Sequence, residues 1–116
     1  MTHPEFTLEV CQVGAVAVVA PHGEVDVATV GAVRDALRSA EGSARVVLDL
    51  RHVEFMDSAG LELIVEEMLR ADQDGCGFAV VKGPGMVQRL LRMVGLAQRL
   101  VVLDDVPDAH DPGTGA

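Results

Sequence analysis

Phe6, Leu8 and Val10 alternate with Thr7, Glu9 and Cys11, the period-two pattern of a strand with one buried face. Gly14 marks a turn, and residues 15–20 form a short, Val-rich apolar run, as in a strand buried on both faces. The Pro21-His22-Gly23 segment is expected to interrupt it. Val30, Val33, Ala36, Leu37 and Ala40 follow helical spacing, with Arg34, Asp35 and Arg38 opposite. Thr29 is placed as the N-cap and Gly42 just past the end. Residues 46–50 read as the next strand. Leu61, Ile64, Val65, Met68 and Leu69 make the cleanest helical stripe, with Glu62, Glu66, Glu67 and Arg70 largely away from it. Glu66 and Arg70 have the spacing of an i,i+4 ion pair, worth a few tenths of a kcal/mol at most.

Residues 74–77 break that helix, 78–81 form a short strand, and Val87, Leu90, Leu91 and Val94 form a last helical stripe stopped by Gly95. Residues 100–103 read as an edge strand. Strands alternating with helices after an initial hairpin predict an α/β domain with a mixed sheet. Right-handed crossovers stack the helices against that sheet.

A length of 116 residues implies one domain, and a 49% hydrophobic fraction suffices for an independent core. The net charge of -9 disfavours nucleic acid and anionic membrane surfaces as direct partners, because phosphate backbones are held by Lys and Arg. A basic protein surface is the better match. Cys11 and Cys76 form no CxxC pair and are expected to be buried small apolar side chains in a reducing cytosol. His3, His22, His52 and His110 lack metal-ligand spacing, so neither a metal nor a cofactor is expected. The N-terminus lacks the layout of a signal peptide, and no apolar run approaches the ~20 residues of a membrane span, which together imply a cytoplasmic protein.

One junction carries candidate chemistry. The apolar strand ending near Leu50 runs on through residues 51–56 to Asp57-Ser58-Ala59-Gly60, and a helix opens at Leu61. Ser58 can be read as the N-cap of that helix, its hydroxyl accepting from a first-turn amide for ~1 kcal/mol. It can also be read as an exposed hydroxyl offered at a helix tip, with Gly60 leaving room for another protein. A nucleophilic serine on a G-x-S-x-G elbow is disfavoured, because Met56 stands where the tight turn needs glycine. Asp104 and His110 do follow in the order of such a triad.

Residues 47–61, VLDLRHVEFMDSAGL, closely resemble the phosphorylation segment of bacterial anti-anti-sigma factors, also called anti-sigma factor antagonists, of the STAS domain family. Gly23-Glu24-Val25-Asp26 is similar to their Gly-Glu-Leu-Asp segment, and Arg89-Leu90-Leu91 with Gly95-Leu96 to their late helix and its exit. The resemblance covers residues 6–104. It implies a STAS-like α/β fold over residues 1–105, a small mixed sheet with helices packed mainly on one side. Residues 106–116, rich in Pro, Gly and Asp, are expected to be a disordered tail.

The resemblance also implies a mechanism without enzymatic activity. The unphosphorylated antagonist binds an anti-sigma factor with serine kinase activity and frees the sigma factor. Phosphorylation of Ser58 ends the interaction, and a serine phosphatase restores it. Asp26, Asp57, Ser58, Ala59 and Gly60 are the implied partner-binding residues. Ala59 departs from the Ser or Thr of many members, which leaves Ser58 as the single acceptor. The competing function is a STAS accessory subunit of an ABC-type transport complex, where the domain docks on an ATPase.

Asp57 can cap the helix or position a kinase, and Asp26 can start the first helix or face a partner. Asp49 is expected to be a strand-end residue with a local hydrogen bond. Arg89, Arg92 and Arg99 read as a solvated face, and Gly83-Pro84-Gly85 as a helix-start turn lacking the Lys and Ser/Thr of a P-loop.

Overall fold

The computed structural model describes residues 6–40, 42–93, 95 and 99–107. The chain runs β1 (Thr7–Val13), β2 (Val16–Val25), α1 (Val30–Ser39), β3 (Arg45–Asp49), β4 (Val53–Met56), α2 (Ser58–Asp74), β5 (Gly77–Val81), α3 (Gly85–Met93) and β6 (Val101–Leu103). The sheet is mixed, ordered β1-β2-β3-β5-β6, with β4 joining the far end of β2. Among the described residues only β1 and β2 pair antiparallel, joined through Gly14 at φ +62°. The β2–β3, β2–β4, β3–β5 and β5–β6 pairs are parallel.

Helices α1, α2 and α3 feed one core. Val33 and Leu37 of α1, Leu63, Ile64 and Met68 of α2, and Val87 and Leu91 of α3 pack with Val19, Leu48 and Val80 of the sheet. The alternate residues Val18, Val47 and Val81 form a separate cluster on the opposite face, with Val106 packed against it. The mixed α/β sheet with its helices on one side is therefore as expected. Pro107 is buried. The rest of the expected tail, 108–116, lies outside the described residues, as does Val94 of the last helical stripe.

Several local expectations are corrected. Pro21-His22-Gly23 does not break β2. The β3 ladder ends at Val19 and the β4 ladder begins at Gly23, so Pro21 falls where no parallel partner needs its missing N–H. Strand β4 has no counterpart in the sequence reading. Its four residues run buried, exposed, exposed, buried, without the alternation that announces a strand. β1 is a sheet edge, and Val10, opposite Val19, stays 56% exposed. Cys11 is exposed and Cys76 half-buried, so neither is a core residue.

On α2 the buried stripe includes Leu63 and Glu67, whereas Leu69 is 45% exposed. Glu66 does not pair along its own helix. It takes two hydrogen bonds from Arg34 of α1, at 3.2 and 3.3 Å, while Arg70 turns to Glu67 at 3.7 Å.

Candidate functional site

The Ser58 turn is built where β2 and β4 end together. Val25 pairs with Met56 in register, and the Asp57 N–H donates to the Val25 carbonyl at 3.2 Å. One residue later α2 begins, at Ser58 and not at Leu61. The N-cap is Asp57, whose backbone is extended (φ -108°, ψ -166°) and whose carboxylate accepts from Ala59 N at 2.9 Å. Its carbonyl accepts from Gly60 N at 3.1 Å and Leu61 N at 3.3 Å. Ser58 is therefore the first helical residue and has no capping duty. Its side chain is exposed, with no hydrogen bond to another side chain or to the backbone among the described residues.

Gly60 corrects another expectation. It is buried, and a Cβ there would stand 2.5 Å from Met56 Cγ and 3.0 Å from its Sδ. The missing side chain makes room for the protein's own methionine. Ala59 is half-buried and packs against the core.

Asp26 lies at the end of β2, one residue past the Val25–Met56 rung, and is partly exposed. Its Oδ1 accepts from Ala28 N at 2.9 Å and Thr29 N at 3.2 Å, and its carbonyl accepts from Val30 N at 2.8 Å. Asp26 thus starts α1. Thr29 makes no side-chain cap for the helix that follows it. Its hydroxyl points back, donating to the Glu24 carbonyl at 2.7 Å and accepting from Asp26 N at 3.0 Å. The β2–α1 loop is tied down at both ends.

At the end of β3, Asp49 is buried and accepts from Arg51 N (3.1 Å), Nε (3.0 Å) and Nη2 (3.0 Å). Burial pushes its carboxyl up, but the Arg51 hydrogen bonds and charge, with a smaller contribution from His52, outweigh that and hold it below the ordinary carboxylate value. Arg51 also reaches Asp105 at 3.2 Å, pinning the segment after β6. The stacked rings of His22 and His52, 4.3 Å apart, lie 30 residues apart in sequence and gave no signal there.

Among the described residues no triad is assembled at Ser58. Asp104 pairs with Lys82 at 3.0 Å, and His110 lies outside the described residues. Gly83 adjoins the backbone of Leu50, where a Cβ would meet the carbonyl oxygen at 2.6 Å. Pro84 O accepts from Val87 N and Gln88 N, so this is a helix-start turn. Arg89, Arg92 and Arg99 are exposed. Among the described residues no three His, Cys, Asp or Glu converge as metal ligands, and no helix is long and apolar enough to cross a membrane.

Comparison with known proteins places this geometry. Residues 7–109 match the family model described as STAS domain. The chain is 29% identical over 112 residues to the anti-sigma-F factor antagonist RsfB of Mycobacterium tuberculosis, covering 94% of this chain and 91% of that one. It is similar to the crystal structure of an anti-sigma factor antagonist from Mycobacterium paratuberculosis, with a TM-score of 0.73 at 29% identity over 94% of this chain and 95% of that one. It shares the fold of the unphosphorylated anti-sigma factor antagonist SpoIIAA of Bacillus, with a TM-score of 0.72 at 18% identity over 85% and 90% of the two chains.

Proposed function

The chain belongs to the STAS domain family, and from that premise we propose that it is an anti-sigma factor antagonist switched by phosphorylation of Ser58. In this reading the unphosphorylated protein binds an anti-sigma factor with serine kinase activity in the cytoplasm and so releases a sigma factor. The kinase ends the interaction by phosphorylating Ser58, and a serine phosphatase resets it. The antagonist itself performs no catalysis.

The observation that carries the proposal is the division of labour between neighbours. Asp57 caps α2, so the exposed Ser58 hydroxyl can be modified without unmaking the helix start. Asp57 precedes it in the chain, and Asp26 follows Val25, whose carbonyl accepts from Asp57 N, so the two carboxylates leave from joined strand ends.

The energetics favour release over unfolding. A phosphoserine adds ~-1.5 to -2 charges. The helix dipole favours that charge by ~0.3–1 kcal/mol. The neighbouring Asp57 carboxylate opposes it, so the net effect on folding is small. Against a partner carboxylate about 5 Å away, such as the base that takes the serine proton in a kinase, each added charge costs roughly 3 kcal/mol at an effective dielectric near 20. That corresponds to a loss of ~100-fold in affinity.

The test is intact mass of wild type and Ser58→Ala after incubation with ATP and each anti-sigma kinase of the source strain, followed by binding of both forms. One phosphoryl group on wild type only, with binding weakened ~100-fold or more, is expected. A modification that persists in Ser58→Ala, or a phosphorylated form that binds as tightly as the free one, overturns the switch.

A further inference from the structure

We propose that Val27 and Phe55 are the apolar anchors of the docking surface around Ser58, and that its occupant is a protein with an apolar recess bordered by Lys and Arg. This rests on the antagonist reading and deepens it, because Gly60 and Ala59 face inward and cannot supply the contact energy.

The large apolar side chains left exposed among the described residues are Val10, Val27, Phe55, Leu69, Met93 and Val101. Two of them lie within two residues of the Val25–Met56 rung from which the Ser58 turn leaves. Phe55 precedes the Val25–Met56 rung by one residue, and Val27 and Ser58 each follow it by two. Val27 is 83% exposed, yet its loop is held on both sides by the Asp26 and Thr29 hydrogen bonds already described. An apolar side chain held in water on an ordered loop contributes nothing to the monomer core. It loses little entropy on docking, which is the property of a preorganised contact.

Charge identifies the occupant. Residues 24–33 and 53–62 contain five carboxylates, Glu24, Asp26, Glu54, Asp57 and Glu62, and no Lys or Arg. Glu24, Glu54 and Glu62 are exposed. An apolar pair with an acidic border fits a basic-rimmed recess and repels nucleic acid and anionic lipid. The border steers approach at long range, while the contact at Ser58 decides retention at close quarters.

The experiment measures dissociation constants of Val27→Ser and Phe55→Thr for the anti-sigma factors of the source strain, with Leu69→Ser and Met93→Ser as exposed apolar controls elsewhere on the surface. Each anchor variant should bind about ten-fold more weakly or worse, and each control within about two-fold of wild type. Thermal melts accompany every variant, and Val27→Ser carries the test alone if Phe55→Thr unfolds. Anchor variants that bind like wild type overturn this assignment and leave the antagonist reading standing. A wild type that binds none of those factors overturns both. A homodimer of the isolated chain abolished by Val27→Ser would reassign the surface to a second copy and overturn the assignment.

Discussion

A Cβ placed on Gly60 would stand 2.5 Å from Met56 Cγ, so the bare second residue of the Asp-Ser-x-Gly turn after Ser58 serves the junction between β4 and α2. Substitution Gly60→Ala therefore brings two opposed effects. Alanine favours the helix by ~1 kcal/mol, and overpacking against Met56 costs ~1–3 kcal/mol. Net destabilisation is expected in urea unfolding, with a positive coupling to Met56→Ala in a double-mutant cycle. A stabilised Gly60→Ala protein would mean that the methionine steps aside freely.

Asp57 caps α2 through Ala59 N. Asp57→Ala should lower stability by about 1 kcal/mol, while Asp57→Asn, which keeps an acceptor oxygen, should lose only a fraction of that. Equal loss in both would assign the effect to charge and not to the cap.

Asp26 separates in the same way. Asp26→Asn preserves the bonds to Ala28 N and Thr29 N and should melt within a few degrees of wild type. If its affinity for the anti-sigma factor falls ~ten-fold, the charge serves the partner. Unchanged affinity would confine Asp26 to starting α1.

The Asp49–Arg51 pair sets an acid dependence. Folding holds the Asp49 carboxyl below its ordinary value. Its contribution is therefore fully present above the unfolded pKa near ~3.9 and is lost as pH falls through the folded value. Arg51→Met removes the two side-chain donors and the charge from a buried carboxylate, keeping only the backbone N–H of residue 51, and should cost about 2–3 kcal/mol at neutral pH. With the guanidinium's hydrogen bonds and charge removed, the carboxyl sits higher than in wild type. The variant should then gain stability relative to wild type as the pH drops through the carboxylate range. Parallel stability curves for the two proteins between neutral pH and pH ~3 would exclude the pair as the source.

Apart from β4, the order of strands and helices, the mixed sheet and the Ser58 junction were legible in the sequence because each rests on local pattern. Period two marks β1, a Val-rich apolar run β2, and helical spacing α1 and α2, and an Asp-Ser pair at a strand-to-helix step is a start signal in any context. The short β4 was not legible, since a strand of four residues with two consecutive exposed positions carries no period. Nor was the cap, because Asp57 and Ser58 are both good N-cap residues. The choice between them was made by the Asp57–Val25 hydrogen bond that ends the β2–β4 pair.

Periodicity says which side chains of one element share a face, and that much is written in the order of residues along this chain. What lies over each face depends on elements distant in the chain. Tertiary packing alone left Val10 and Leu69 exposed and buried Leu63 and Glu67. It also turned Gly60 toward Met56, because burial is decided by the neighbour that arrives and no residue encodes its neighbour's position.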